Sequence, residues 1–239
     1  ALYPCYGLAE ATLIVSGGRR GDGVKSDMFS SRDLRQSRAT PSAAGQRLVS
    51  CGVARTGHRI EIIDVETGCV LPAGVVGEIQ VTGPSIARGY WDNPNATRAT
   101  FVERDGGVFL RTGDLGFLHG GELFVTGREK DLIIVRGQNL YPQDIERVVE
   151  TDNPIVRTGR VVAFTLEHAG EEGIAIAAEV SPRMQKLIDP VNVCREIAEL
   201  VAQVFGEPPK LTLLLKPGGV PLTSSGKLQR AACKRNWLD

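Results

Sequence analysis

"VFLRTGDLGFLHGGELFVTGREKDLIIVRGQNLYPQDIERVVE", Val108 to Glu150, is the most densely patterned stretch of the chain, and its reading decides the fold. Apolar runs at 108–111, 122–126 and 132–136 read as strands. Gly120 and Gly121 predict one hairpin turn, and the region 127–131 another. Pro142 opens a helix over "PQDIERVVE", where its missing N–H costs nothing, because the first helical N–H groups have no partner within the helix. The character of the sequence changes near 128–131. A mostly β portion precedes that point. After it, the order of elements is two strands, a helix, a strand pair, a helix, a strand and a C-terminal hairpin.

Working outward, "HRIEIID" and "VGEIQVTG" alternate polar and apolar residues, as half-buried strands of a small barrel or sandwich do. "GYWDNPNATRATF" carries turn chemistry at Asp92, Asn93 and Pro94, followed by a short helix. Residues 1–16 read as a strand end turning into a helix or strand. Residues 17–47 are rich in Gly, Ser and Arg without a period, and predict a long surface excursion, ordered in part at best. Downstream, "GRVVAFTLE", "GIAIAAEV" and "PPKLTLLLK" are strand-like. In "DPVNVCREIAELVAQVFG" the apolar residues Val193, Ile197, Leu200, Val201 and Val204 recur at helical spacing.

Composition narrows the function classes. The chain has 239 residues, 28 Lys plus Arg against 28 Asp plus Glu, and 42% hydrophobic residues. Zero formal charge argues against nucleic acid or an anionic membrane surface as the main partner. No apolar run has the length of a membrane span. No signal peptide is visible. Five scattered cysteines without a C-x-x-C pair, and His58, His119 and His168 far apart, fit a reducing cytoplasm and neither a disulfide framework nor a zinc site. The chain starts without Met inside patterned sequence, and it is expected to be a fragment of a longer protein.

"PLTSSGKLQR", residues 221–230, contains the Gly-Lys pair of a phosphate loop. A Walker A loop needs a first glycine where Pro221 stands and a Ser or Thr where Leu228 stands. Proline has no N–H to cradle a phosphate, and leucine cannot ligate a metal. Lys227 is therefore read as a lone cation on a flexible hairpin. "TGDLG" presents Asp114, whose carboxylate can accept from two vicinal hydroxyls, in a turn after a strand. Arg128 in "GRE" offers a fork suited to phosphate or ribose oxygens. Tyr6 offers a flat face for a purine, and Glu10 a hard oxygen ligand for magnesium. Taken singly, each has a plain structural reading: a turn cap, a surface arginine, a core tyrosine, a solvated glutamate, a solvated lysine.

Their order along the chain carries more. Y-G-L-A-E, G-x-x-x-x-G-Y-W, R-T-G-D-L-G, G-R-E-K-D-x-I, N-x-Y-P-x-D-I-E and P-L-T-S-S-G-K-L-Q-R follow one another. This set resembles the adenylate-forming superfamily of acyl-CoA synthetases, luciferase-like enzymes and adenylation domains, over essentially the whole chain. "YGLAEATL", with Ala9 where the superfamily usually has Thr, and the excursion at 17–47 resemble the fatty acyl-AMP ligases in particular. So does "RGQNLYPQDIE".

The resemblance implies an α+β fold: the β-rich, distorted-barrel end of a large adenylating domain over 1–129, with an insertion near 17–47, and a small mobile C-terminal domain over 130–239. It implies that Tyr6 stacks on adenine with Gly7 also in the cofactor site, Glu10 binds magnesium, Asp114 holds the ribose hydroxyls, and Arg128 contacts ribose or phosphate. Lys130 would be the hinge and Lys227 the catalytic lysine. The implied activity is ATP- and Mg-dependent activation of a long-chain fatty acid to acyl-adenylate. Transfer to an acyl carrier protein of a polyketide or nonribosomal pathway would follow, in the cytoplasm. The superfamily's Ser/Thr/Gly-rich phosphate loop and the acyl tunnel are absent from these residues, so the fragment alone is expected to be inactive. The alternatives are an acyl-CoA synthetase or amino-acid adenylation domain and, in another class, a non-catalytic module that docks a carrier protein.

Overall fold

A computed structural model describes residues 2–104, 106–168, 171–184 and 188–238, with the side chains of residues 168 and 238 outside the description. The chain forms two compact units, Ala1–Lys130 and Asp131–Asp239. Both mix strands with helices, the α+β class expected, and strand dominates.

The first unit begins with β1 (Cys5–Tyr6), a 3-10 turn at Ala9–Ala11, and β2 (Ser16–Gly17). Then come β3 (Ser26–Phe29), α1 (Ser31–Leu34), β4 (Gln46–Val49), β5 (Val53–Ala54), β6 (Arg59–Ile63) and β7 (Gly77–Thr82). It closes with α2 (Pro94–Thr100), β8 (Phe101–Arg104), β9 (Gly107–His119) and β10 (Glu122–Arg128). The main sheet runs β10-β9-β7-β6, all antiparallel, with β8 also on β9. The thirteen-residue β9 is shared: its first part pairs β8, its last part pairs β10. Ile60, Ile62, Ile79, Val81, Leu110 and Leu123 supply the core beneath it, joined by Tyr6, Ala11 and Val15.

Residues 17–47 are more ordered than the sequence predicts. β3 pairs β4, Ala39 N–H donates to Gly74 O, and Phe29 and Leu34 are buried. The Phe29 ring meets Phe117 and Phe124 edge-on at 4.9 and 5.4 Å, and those two stack across the β9–β10 hairpin at 5.3 Å. Offset and edge-to-face pairs of this kind add to simple burial. A Gly/Ser/Arg composition concealed the aromatic anchor Phe29, which is buried together with Leu34 and Ala39 of the same segment. The second expected hairpin, at 127–131, is absent: Gly127 stays paired in β10, and a 3-10 turn at Glu129–Asp131 follows.

The second unit opens with the hairpin of β11 (Ile133–Val135) and β12 (Gln138–Leu140). Its two-residue turn has positive φ at both Arg136 (51°) and Gly137 (73°), the type I′ geometry that matches strand twist. α3 (Pro142–Asp152) has Pro142 at its start. β13 (Val156–His168) and β14 (Glu171–Val180) are antiparallel. α4 (Pro190–Phe205) is capped by the Asp189 carboxylate and ended by left-handed Gly206. β15 (Leu211–Leu215) lies parallel to β14, and α5 (Arg230–Leu238) ends the chain.

Ile145 and Val149 of α3, with Val193, Ile197, Val201 and Phe205 of α4, cover one sheet face. Val220 and Cys233 pack on the other with Val162, Phe164, Ala175 and Ala177. Burial on both faces explains why β14 reads as a continuous apolar run. On α4, Phe205 and not Val204 completes the buried stripe, and Val204 is exposed. Positions 193, 197, 201 and 205 advance by four residues each, which keeps them on one face. No described helix is long and apolar enough to cross a membrane.

Candidate active site

Asp114 is not in a turn after a strand. It sits inside β9, at a bulge. Against β7 the register passes from Glu78↔Leu115 to Gln80↔Arg111, so Thr112, Gly113 and Asp114 oppose Ile79 alone. Gly113 has φ +66°, the left-handed conformation a glycine takes without cost. Four side-chain contacts hold the bulge. Thr112 Oγ1 donates to Ile79 O at 2.7 Å and accepts from Asp114 N–H at 3.1 Å. The buried Glu78 carboxylate accepts from Arg111 Nε at 3.0 Å and Gly113 N–H at 3.3 Å. Bulges re-aim side chains in this way.

A second register shift, between Val125 and Gly127 in β10, puts Arg128 directly opposite Asp114. Arg128 Nε donates to Asp114 Oδ1 at 3.1 Å, and Tyr6 Oη donates to Asp114 Oδ2 at 2.7 Å. The structure thus gathers Tyr6, Asp114 and Arg128 around one carboxylate from strands far apart in sequence. An ionised carboxylate has about four acceptor positions. Two donors leave room for two more, enough for a pair of vicinal hydroxyls. The Tyr6 ring is largely enclosed in the core, so it does not present the open flat face expected for a purine; its hydroxyl instead faces the acid.

Burial, then the negative charge of Asp114, pushes the Tyr6 phenol well above its ordinary value of 10.0. The unfolded tyrosine loses its proton first, so stability from this bond is intact below about pH 10 and falls as pH rises beyond it. The expected result is that wild type and Tyr6→Phe show equal tyrosinate absorbance up to pH 11. A step lost in the variant below that pH would contradict the buried hydrogen bond.

Gly7 adjoins this group, and a Cβ there would lie 1.5 Å from Leu13 O, so only glycine fits the turn. Glu10 is held apart from the triad. Its Oε1 accepts from Tyr90 Oη at 2.7 Å, and its backbone O accepts from Ala87 N–H at 2.8 Å. The bond to Glu10 raises the Tyr90 phenol. Among the described residues no three His, Cys, Asp or Glu gather as a metal cluster. A single carboxylate still fits magnesium, which keeps several waters and takes one or two carboxylates beside substrate phosphates. Sequence reasoning missed Tyr90, Thr112 and Glu78. They act through contacts between strands, which no local pattern reveals.

Lys130 is exposed in the 3-10 turn that ends the first unit. In the second unit Lys227 is exposed on a closed hairpin, where Leu222 pairs Leu228. Gly226 N–H donates to Thr223 O at 2.9 Å, Thr223 N–H donates to Lys227 O at 2.8 Å, and Gly226 has φ +82°. This is a three-residue loop with its glycine in the left-handed position. Lys227 N–H also donates to Thr223 Oγ1 at 3.0 Å.

The chain is similar to known proteins. Residues 1–91 match the family model of the AMP-binding enzymes. The medium-chain-fatty-acid–[acyl-carrier-protein] ligase JamA of Moorena producens is 41% identical over 249 residues, covering 100% of this chain and 42% of JamA. A structure among the fatty acyl-adenylate ligases of E. coli and L. pneumophila superposes with TM-score 0.82 at 37% identity, over 98% of this chain and 42% of that one. ATP-bound MatB from Rhodopseudomonas palustris gives TM-score 0.71 at 28% identity, over 100% of this chain and 41% of MatB. The chain spans about two fifths of the length of these relatives. Residues 1–91 thus match the AMP-binding enzymes, and along its whole length the chain is homologous to part of their fatty-acid ligases.

Proposed function

We propose that the protein carrying this chain is a fatty acyl-AMP ligase, which activates a long-chain fatty acid with ATP and passes the acyl group to an acyl carrier protein. The carrier would serve a polyketide or nonribosomal pathway in the cytoplasm. The observation that carries the reading is the Asp114 carboxylate, fixed between Tyr6 and Arg128 with acceptor capacity left for a ribose. The likeness to a carrier-protein ligase supports the acceptor.

In the reaction a carboxylate oxygen of the fatty acid attacks the α-phosphorus of ATP. The bond to the pyrophosphate oxygen breaks, and pyrophosphate leaves. The groups that meet are anionic, so fixed positive charge lowers the barrier where negative charge builds. Lys227 supplies a compact cation for the acyl carboxylate and the nucleotide. Asp114 orients the ribose, Arg128 binds ribose or phosphate oxygens, Tyr6 steadies Asp114 through its hydroxyl, and Gly7 lies beside the base. Glu10 is the residue that would hold magnesium, which when bound offsets charge on the departing pyrophosphate. Lys130 would serve as the hinge that lets adenylation and transfer alternate.

The deciding experiment supplies the full-length protein with radiolabelled fatty acid, ATP and magnesium, then CoA or a carrier protein bearing phosphopantetheine. Acyl-adenylate and acyl-carrier, with no acyl-CoA, is the expected outcome. Acyl-CoA as the main product would move the protein to the synthetase branch. Asp114→Ala removes a charged acceptor. Hydrogen bonds of that kind contribute about 1.5–3 kcal/mol, so kcat/KM for ATP should fall about 10- to 100-fold. An unchanged ATP dependence would remove Asp114 from the nucleotide site.

A further inference from the structure

Two buried glutamates of the second unit have no part in the chemistry just described, yet both end at the roots of the Lys227 hairpin. Glu179 on β14 is fully buried. It accepts from Gly218 N–H at 3.0 Å and Val220 N–H at 2.9 Å, on the limb that enters the hairpin, and it pairs with Arg157. Glu146 on α3 is 5% exposed and accepts from Ala163 N–H of β13 at 3.1 Å. Its two oxygens take a bidentate fork from Arg230, Nε at 2.8 Å and Nη2 at 2.7 Å. Arg230 lies three residues after Lys227, at the start of α5. Its Nη1 reaches Asp131 Oδ2 at 3.3 Å, on the first residue of the second unit.

The hairpin's own bonds are local, and residues 224–227 at its tip are exposed. Where Lys227 stands within its unit therefore depends on the two roots and on the packing of Leu222 and Leu228 against the core. Buried ion pairs are an inefficient way to gain stability, since desolvation offsets most of the attraction. They do fix geometry, and an arginine fork fixes orientation as well as distance. We propose that Arg230, held by Glu146 and Asp131, is the positioning residue that sets Lys227 for adenylation. This rests on the function proposed above.

The test uses the full-length protein with Arg230→Ala, Lys227→Ala and the double variant. Two half-reactions are followed: ATP–pyrophosphate exchange with fatty acid, and transfer from supplied acyl-adenylate to the carrier thiol. Misplacing a reacting group by about 1 Å can cost about 10²-fold. Arg230→Ala should lower kcat of exchange by about 10- to 100-fold, with KM values and the transfer rate within about twofold. The double variant should be no slower than Lys227→Ala alone, because the arginine acts only through the lysine. Independent, multiplying losses, or equal loss of both half-reactions, would overturn the proposal.

If Lys227→Ala itself leaves exchange unchanged, the catalytic role of Lys227 falls and the positioning role with it, whereas absence of fatty-acid-dependent exchange in the wild type would overturn the proposed function. Should Arg230→Ala fail to fold by thermal melting, Arg230→Lys keeps a charge beside Glu146 but cannot span Glu146 and Asp131 together. Its exchange rate should be about 3- to 10-fold low, a loss that disappears in the Lys227→Ala background. A full exchange rate in Arg230→Lys would overturn the proposal.

Discussion

Lys227→Ala in the full-length protein lowers the rate of ATP–pyrophosphate exchange by about 10²–10³-fold, the size of effect seen when one preorganised charge-stabilising donor is removed. The reasoning starts from electrostatics. A fatty carboxylate and an α-phosphate repel each other, and the transition state concentrates that charge. Lysine brings a point charge with three donors and no acceptor. The loss should fall on kcat more than on KM, because the interaction strengthens as charge develops. Acyl transfer from supplied acyl-adenylate should stay within about twofold, because that step does not bring the two anions together. The side chain is exposed, so stability should move by less than about 0.5 kcal/mol. An exchange rate within a few-fold of wild type would remove Lys227 from catalysis, whereas no exchange in the wild type itself would favour a docking module over an enzyme. A rate loss accompanied by a lowered melting temperature would point to a folding defect instead.

The parts of the fold that were legible in the sequence share a physical property: they repeat. Alternation in "HRIEIID" and "VGEIQVTG" corresponds to β6 and β7, and the four-residue apolar spacing of α4 survives with Phe205 in place of Val204. Gly120 and Gly121 do turn the β9–β10 hairpin. The features that escaped are set by single contacts. T-G-D reads locally as a turn, because a left-handed glycine between two polar residues is the usual mark of one. Pairing on both sides makes it a bulge instead. A weakly amphipathic, basic C-terminal segment gave no signal for α5, which is tied down by Cys233 in the core and Arg230 on Glu146. The Tyr6–Asp114–Arg128 contacts join residues up to 108 positions apart, and two separate register shifts are involved: one makes the bulge that carries Asp114, the other brings Arg128 opposite it. Spacing could nominate those residues. Their mutual geometry required the sheet.

Phe29→Ala should destabilise the first unit by about 3–5 kcal/mol, the usual cost of emptying a buried aromatic site. Phe29 has no exposed surface, and its ring contacts Phe117, Phe124 and His119 at centroid distances of 4.9, 5.4 and 5.4 Å. Those three residues lie on β9 and β10, the hairpin whose far end bears Asp114 and Arg128. The substitution therefore removes the main apolar tie between the 17–47 segment and the sheet, and leaves a cavity against strands that cannot collapse without breaking their register. Val24→Ala, in the same segment but at an exposed site, should cost less than about 0.5 kcal/mol. Urea unfolding followed by circular dichroism distinguishes the two, with the midpoint lowered in Phe29→Ala and the slope unchanged. Protease should also cut the variant within 17–47 faster than wild type, because undocking exposes that backbone. If Phe29→Ala costs no more than Val24→Ala, the segment is not anchored by its aromatic contact. The order seen at β3 and β4 would then rest on their own pairing and on backbone bonds such as Ala39 N–H to Gly74 O.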